Sequence, residues 1–215
     1  MVKDLAGLRA DYKKGSLDIT DVAETPIKQF VKWFEEYSTL DVQDANAMVL
    51  STVDAQNQPD ARVVLLKELN PNGFVFFTNY DSLKGRHLAQ NPKASLLFFW
   101  PELERQIRVT GLVSKISAEE SDLYFHSRPI ESQIGAATSP QSREIPSRQF
   151  LEEKYWAQAK QFEGLTKIPR PKNWGGYVLT PKRVEFWQGR PSRLHDRICY
   201  ELQQDSAWRI FRMAP

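Results

Sequence analysis

AMVLSTVDAQNQPDARVVLLKELNPNGFVFFTN, residues 47–79, is the stretch on which the fold reading turns. Its three runs, AMVLSTVD (47–54), ARVVLLKE (61–68) and GFVFFTN (73–79), are short and rich in β-branched and aromatic residues. QNQP and NPNG stand between them as turn signals, so the runs predict successive strands.

Working outward, Thr25 and Pro26 are a good helix cap followed by proline at the first helical position. Ile27, Phe30, Val31 and Phe34 then recur at helical spacing and predict an apolar stripe. A mixed pattern around residues 3–14 predicts a further helix. On the other side, SLKGRHLAQNP (82–92) predicts a short helix closed by Asn91 and Pro92, and ASLLFFW (94–100) and RQIRVTGLVSKI (105–116) return to strand. Ser117 with Glu120 forms a capping box that opens a helix through about His126, and another helix is expected from Ser147 to about Phe162. The last third, from GGYVLT onward, predicts about four more strands. Eight or nine short strands with a few helices in the connections suggest a mainly β, antiparallel barrel decorated by helices. No linker divides the chain.

The 215 residues carry 29 basic and 27 acidic side chains, a net charge of +2, and are 41% apolar and 12% aromatic. That supports a packed core and gives no general basic field for nucleic acid or an anionic membrane. No run of about 18 apolar residues is present. The single cysteine, Cys199, offers neither a disulfide framework nor a metal cluster, and a reducing, cytoplasmic setting is expected. His87, His126 and His195 share no metal-ligand spacing, so no metal is expected. Dinucleotide, P-loop and nucleophile-elbow glycine motifs are absent from the sequence.

Three clusters could bind anions. In SRLHDR (192–197), entry into a strand would put Arg193, His195 and Arg197 on one face and Leu194 and Ile198 on the other; a solvated strand edge is the equal alternative. In YFHSRPIESQIG (124–135), Tyr124, Arg128 and Ser132 can converge as hydroxyl, guanidinium and hydroxyl, although a packed Tyr124 and a capping Arg128 explain the same residues. In ARVVLLK, Arg62 and Lys67 bracket an apolar strand and face opposite sides, with Lys84 and Arg86 on the helix that follows.

Taken in order, RVVLLK, FFTN, LLFFW, ERQIRV, YFHSRP with SQIG, WGGY, EFWQG, RLHDR and the closing W-R-I-x-R-M-A-P pattern resemble the pyridoxamine (pyridoxine) 5′-phosphate oxidase family. The resemblance runs from about residue 8 to the C-terminus. It implies an FMN-binding split β-barrel, with residues 21–215 as one domain and 1–20 as a lid or flexible segment. It implies a homodimer with FMN at the interface. It also implies oxidation of pyridoxamine or pyridoxine 5′-phosphate to pyridoxal 5′-phosphate, with O2 reduced to H2O2.

The resemblance assigns FMN contacts to Arg62, Val63, Val64, Leu65, Leu66 and Lys67, and to Phe77, Thr78, Lys84, Gln106, Trp187 and Arg197. Gln141 and Ser142 match a pair supplied by the partner subunit. Substrate contacts fall on Lys67, Tyr124, Arg128 and Ser132 for the phosphate and on Arg193, Leu194 and His195 for the ring. Arg9 and Tyr12 match the lid. Arg193 and His195 are the catalytic candidates, His195 either as proton acceptor or as a group that only positions the ring. Leu83 departs from the family's usual second basic residue, which removes a phosphate contact of about 1.5–3 kcal/mol; Arg86 is the expected substitute. A split-barrel protein that holds flavin or pyridoxal phosphate without turnover is the alternative reading.

Overall fold

The structure, a computed structural model, describes residues 11–215. The helices are α1 (Pro26–Ser38), α2 (Leu83–Gln90), α3 (Ala118–Ser127), α4 (Ile130–Thr138) and α5 (Arg148–Gln161). The strands are β1 (Ala47–Val53), β2 (Pro59–Leu65), β3 (Glu68–Asn70), β4 (Gly73–Asn79), β5 (Lys93–Trp100), β6 (Arg105–Lys115), β7 (Trp174–Gln188), β8 (Asp196–Leu202) and β9 (Trp208–Arg212). The hydrogen-bonded strand order is β2-β1-β5-β6-β7-β4-β3, with β8 on β7 and β9 on β8. No helix among the described residues is long and apolar enough to cross a membrane.

The chain forms two compact units: one holds the described residues up to Val49 with Ser95–Gly111 and Pro181–Pro215, the other Leu50–Ala94 with Leu112–Thr180. Strands β1, β5, β6 and β7 each contribute residues to both.

In the first unit, Thr25 Oγ1 accepts from the Lys28 amide and Pro26 opens α1. The buried face of that helix is Pro26, Gln29, Phe30, Trp33 and Tyr37, so the stripe is rotated from the expected one and Val31 is exposed. The large rings decide the rotation: Phe30 meets Phe98 edge-on, Trp33 meets Phe186, and Tyr37 stacks on Trp100. The last turn of the expected 3–14 helix is not helical at residues 11–14, and the rest of it lies outside the described residues. The second half of β7 pairs antiparallel with β8, Trp187 opposite Arg197, and β8 pairs antiparallel with β9.

In the second unit, β4 runs antiparallel to β3 and to the first half of β7. Phe125, Ile134, Ile168 and Trp174 form a buried cluster. The Ser117 capping box is complete in both directions and starts α3. A helix the sequence reading missed, α4, begins directly after Pro129, so Ser132 lies in its first turn.

Three strands, not four, follow residue 173. Pro181 looks like a break, yet it sits between Leu179, the last residue paired with β4, and Arg183, the first paired with β8, where its missing donor interrupts neither ladder. The SRLHDR segment is likewise not a strand from its start. Pro191–Arg193 is a 3₁₀ turn with Ser192 and Arg193 left-handed (φ 57° and 61°), and β8 starts only at Asp196. Arg193 and His195 therefore leave the alternation that the sequence suggested.

Candidate active site

A cavity of about 510 Å³ opens in the second unit. Its floor is the end of β2 (Val63, Val64, Leu65) with Phe77 and Thr78 of β4, and its cations are Lys67, Lys84 and Arg128. Tyr124, Ser132 and Gln141 add polar groups, and Trp174 closes one side. Among the described residues, no carboxylate lines it.

Each side chain is aimed by local structure. Ser82 caps α2 by accepting from the Gly85 amide, and Lys84 then reaches back to Thr78 Oγ1 at 3.3 Å and Gln141 Oε1 at 3.0 Å. Burial is the main cause lowering the Lys84 pKa, and Arg62 adds to it. Tyr124, on the last turn of α3, stacks on Phe77 with ring centroids 3.8 Å apart. Burial pushes its phenol pKa up, against the pull of Arg128.

Arg128 is the C-cap of α3 through its backbone, as the capping alternative holds. Its guanidinium lies 4.8 Å over the Trp174 ring, and its Nη1 is buried without a hydrogen-bond partner. Burial lowers its pKa. A desolvated, under-bonded guanidinium on a cavity wall is a donor suited to an anion.

Three expected contacts are placed differently. Arg62 does not line the cavity: its guanidinium pairs with Asp60 and donates to Leu50 O at 3.1 Å and Thr52 Oγ1 at 2.8 Å. Arg86, the expected substitute for the base missing at Leu83, is exposed and donates to Asp81 O in the loop before its own helix. Gln141, expected from a partner subunit, meets Thr78 and Lys84 of its own chain. Leu66 is buried, and Ser142 is an exposed left-handed residue beside Gln141.

The first unit holds the other candidates. Trp187 and His195 rings lie 4.6 Å apart, and the Tyr12 ring meets both edge-on at 5.6 Å. His195 Nδ1 accepts from the Arg190 amide at 3.1 Å. Arg197 is held by both oxygens of Glu185, at 3.1 and 2.8 Å, and donates to Ala214 O at 2.7 Å. Glu185 is 5% exposed, and its hydrogen bonds lead the causes that raise the Arg197 pKa. Arg193 and Leu194 are exposed, and Gln106 is half-buried on β6. Arg9 lies outside the described residues.

Sequence reasoning missed Trp174, Glu185 and Arg190. Trp174 had a signal, an aromatic residue immediately before two glycines. Glu185 opens the EFWQG block, yet between Val184 and Phe186 it reads as part of an aromatic strand.

Residues 34–162 match the family model described as pyridoxamine 5′-phosphate oxidase. Residues 174–215 match the pyridoxine 5′-phosphate oxidase C-terminal dimerisation region. The chain is 54% identical over 211 residues to pyridoxine/pyridoxamine 5′-phosphate oxidase 1 of Ralstonia nicotianae, covering 98% of this chain and 99% of that one. It is 50% identical over 211 residues to pyridoxine/pyridoxamine 5′-phosphate oxidase of Leptospira interrogans, covering 98% of each. The structure of PhzG from Burkholderia lata, solved with tetrahydrophenazine-1-carboxylic acid, superposes with a TM-score of 0.85 at 27% identity, over 94% of this chain and 100% of that one. A pyridoxamine 5′-phosphate oxidase-related, FMN-binding protein from Nostoc punctiforme gives a TM-score of 0.72 over 90% of this chain and 100% of its own; at 16% identity it speaks to the fold alone. Collinear matches over nearly the whole chain, on a split-barrel fold, place this protein in the pyridoxamine 5′-phosphate oxidase family.

Proposed function

We propose that the chain oxidises pyridoxamine 5′-phosphate and pyridoxine 5′-phosphate to pyridoxal 5′-phosphate, with FMN as cofactor, O2 as electron acceptor and H2O2 as product. The observation that carries the reading is the cavity whose cations, Lys67, Lys84 and Arg128, share it with no carboxylate among the described residues. Such a cavity wants the phosphate of a ligand.

The residues present fit FMN. Lys84 and Gln141 offer donors for its phosphate, while Val63, Val64, Leu65 and Phe77 offer apolar surface beside them. When bound, FMN supplies a two-electron acceptor that O2 can reoxidise. The protein's own work is binding and orientation. Lys67, Tyr124, Arg128 and Ser132 hold the substrate phosphate, and Arg193, Leu194 and His195 hold its ring. Fixing the reacting carbon in this way supplies much of the rate.

Gln106, Trp187 and Arg197 are proposed as further flavin contacts, as are Leu66 and Ser142, while the Arg62 of the same set is engaged by Asp60. The match to a dimerisation region supports a homodimer; FMN at its interface and action in the cytoplasm belong to the same proposal. Residues 21–215 are proposed as one functional domain, with 1–20 as its lid.

The test is optical. Purified protein is expected to be yellow and to bleach when pyridoxamine 5′-phosphate is added without oxygen, with colour and one H2O2 per turnover returning on admission of air. Yellow protein that does not bleach would favour a flavin carrier without turnover.

A further inference from the structure

Arg190 stands in the turn between Trp187 and His195, at a position to which the family resemblance assigns nothing. Both its backbone and its side chain are engaged. The amide donates to His195 Nδ1 at 3.1 Å. The guanidinium donates through Nη1 to Gly15 O at 2.9 Å and lies 3.5 Å from Asp196 Oδ2 through Nε.

The segment it grips is tied along its length. The Lys13 and Lys14 amides donate to Glu104 Oε2 at 2.8 and 2.9 Å, the Leu17 amide donates to Asp196 Oδ2 at 3.0 Å, and Arg212 donates to Leu17 O at 3.1 Å. At the head of this segment Tyr12 lies against Gly189, where a Cβ would come within 2.7 Å of the phenol ring, and against the Trp187 and His195 rings.

We propose that Arg190 is a positioning residue of the substrate site: its guanidinium clamps the segment that carries Tyr12, and its amide fixes the orientation and tautomer of His195. A backbone N–H can only donate, so Nδ1 must accept. The ring proton of neutral His195 then sits on Nε2, and the ring offers a substrate one donor and no free lone pair. His195 orients the ring and does not take up a proton from it. Arg190, Tyr12 and His195 form one assembly, which the clamp holds together.

The role in turnover rests on the oxidase reading above, and the test separates the two. Long-range nitrogen–proton spectra of the full-length protein, read from the neutral imidazole form, are expected to show His195 with Nδ1 bare and Nε2 protonated. The signals are assigned by their loss in His195→Ala. The opposite tautomer overturns the proposal. Arg190→Ala keeps the amide and so keeps the tautomer, but loses the clamp. Hydrogen exchange over residues 12–17 is expected to speed up about fivefold, and KM for pyridoxamine 5′-phosphate to rise about five- to tenfold with kcat within about twofold, the scale of one lost hydrogen bond. Arg190→Lys is expected to recover part of both.

Unchanged exchange, or kcat falling with melting temperature while KM holds, overturns the clamp. If the parent protein does not turn over pyridoxamine 5′-phosphate at all, the oxidase reading fails, while spectra and exchange still decide what Arg190 does.

Discussion

Lys84 is a half-buried cation whose hydrogen bonds go to two neutral oxygens, Thr78 Oγ1 and Gln141 Oε1. Burial and the nearby Arg62 lower its pKa, against Asp60. The folded chain therefore holds that proton less tightly than the unfolded one does. The charge on Lys84 costs stability at pH below its folded pKa, and the cost is relieved as pH rises from that value to the ordinary lysine value. A bound phosphate turns the same charge to advantage. Lys84→Met is thus expected to leave the melting temperature of the FMN-free protein unchanged or about 2 °C higher. The same variant is expected to weaken FMN binding roughly 10- to 100-fold, as loss of a charge-assisted hydrogen bond should. Thermal scans and a flavin fluorescence titration read the two halves, and an unchanged FMN dissociation constant would remove Lys84 from the site. The short helix that carries Lys84 after FFTN was legible in the sequence, while its role at a phosphate came from the resemblance alone. Arg62 was not legible as an internally paired group, because its partner Asp60 faces it only once β2 sets both on one side.

Elements succeed in the sequence reading where their signals are local and fail where a distant partner decides. The caps at Thr25, Ser82, Ser117 and Ser147 each accept from an amide three residues on, and each marks a helix start. The length of β7 was hidden because Pro181 is tolerated only thanks to ladders on either side of it. The turn at Pro191–Arg193 was hidden because two left-handed residues other than glycine carry it. At the start of β7 the glycines have a packing reason. A Cβ on Gly175 would lie 2.1 Å from Tyr80 Oη and 2.9 Å from Ser121 Oγ. Those two hydroxyls bond the Gly176 carbonyl and amide, each at 3.2 Å. Gly175→Ala must displace Tyr80 and break this pair of contacts, an overpacking cost of about 1–3 kcal/mol. Urea unfolding should show a lower midpoint at unchanged slope. A midpoint equal to the parent's would mean that Tyr80 moves aside freely.

Across the whole molecule, a net charge of +2 conceals two different uses of cations. Around SRLHDR the arginines are largely spoken for: Arg197 by Glu185, and Arg190 and Arg212 by Asp196. In the second unit Lys67, Lys84 and Arg128 share a cavity that no carboxylate lines among the described residues. The sequence showed both crowds of cations and could not tell them apart, since pairing depends on residues far along the chain. Both units also bury tyrosines, and these set the alkaline limit of the fold. Burial is the leading cause in each case. Tyr37, whose hydroxyl donates to Glu102 Oε2 at 2.8 Å, is pushed up to about 12. Tyr177 is pushed up to about 12, and Tyr200, donating to Ala23 O at 2.6 Å, is raised as well. An unfolded tyrosine ionises near pH 10, so above that value the unfolded chain releases protons that the folded chain keeps. Stability is then full below about pH 10 and is lost as pH climbs toward 12. The urea midpoint should hold level up to about pH 9.5 and fall steeply by pH 11, with the phenolate absorbance of Tyr37, Tyr177 and Tyr200 appearing only as the fold is lost. Tyr37→Phe, which removes one of these groups, should make the fall shallower. A midpoint that stays level to pH 11, or phenolate that titrates fully in the folded protein, would show that these hydroxyls are open to solvent.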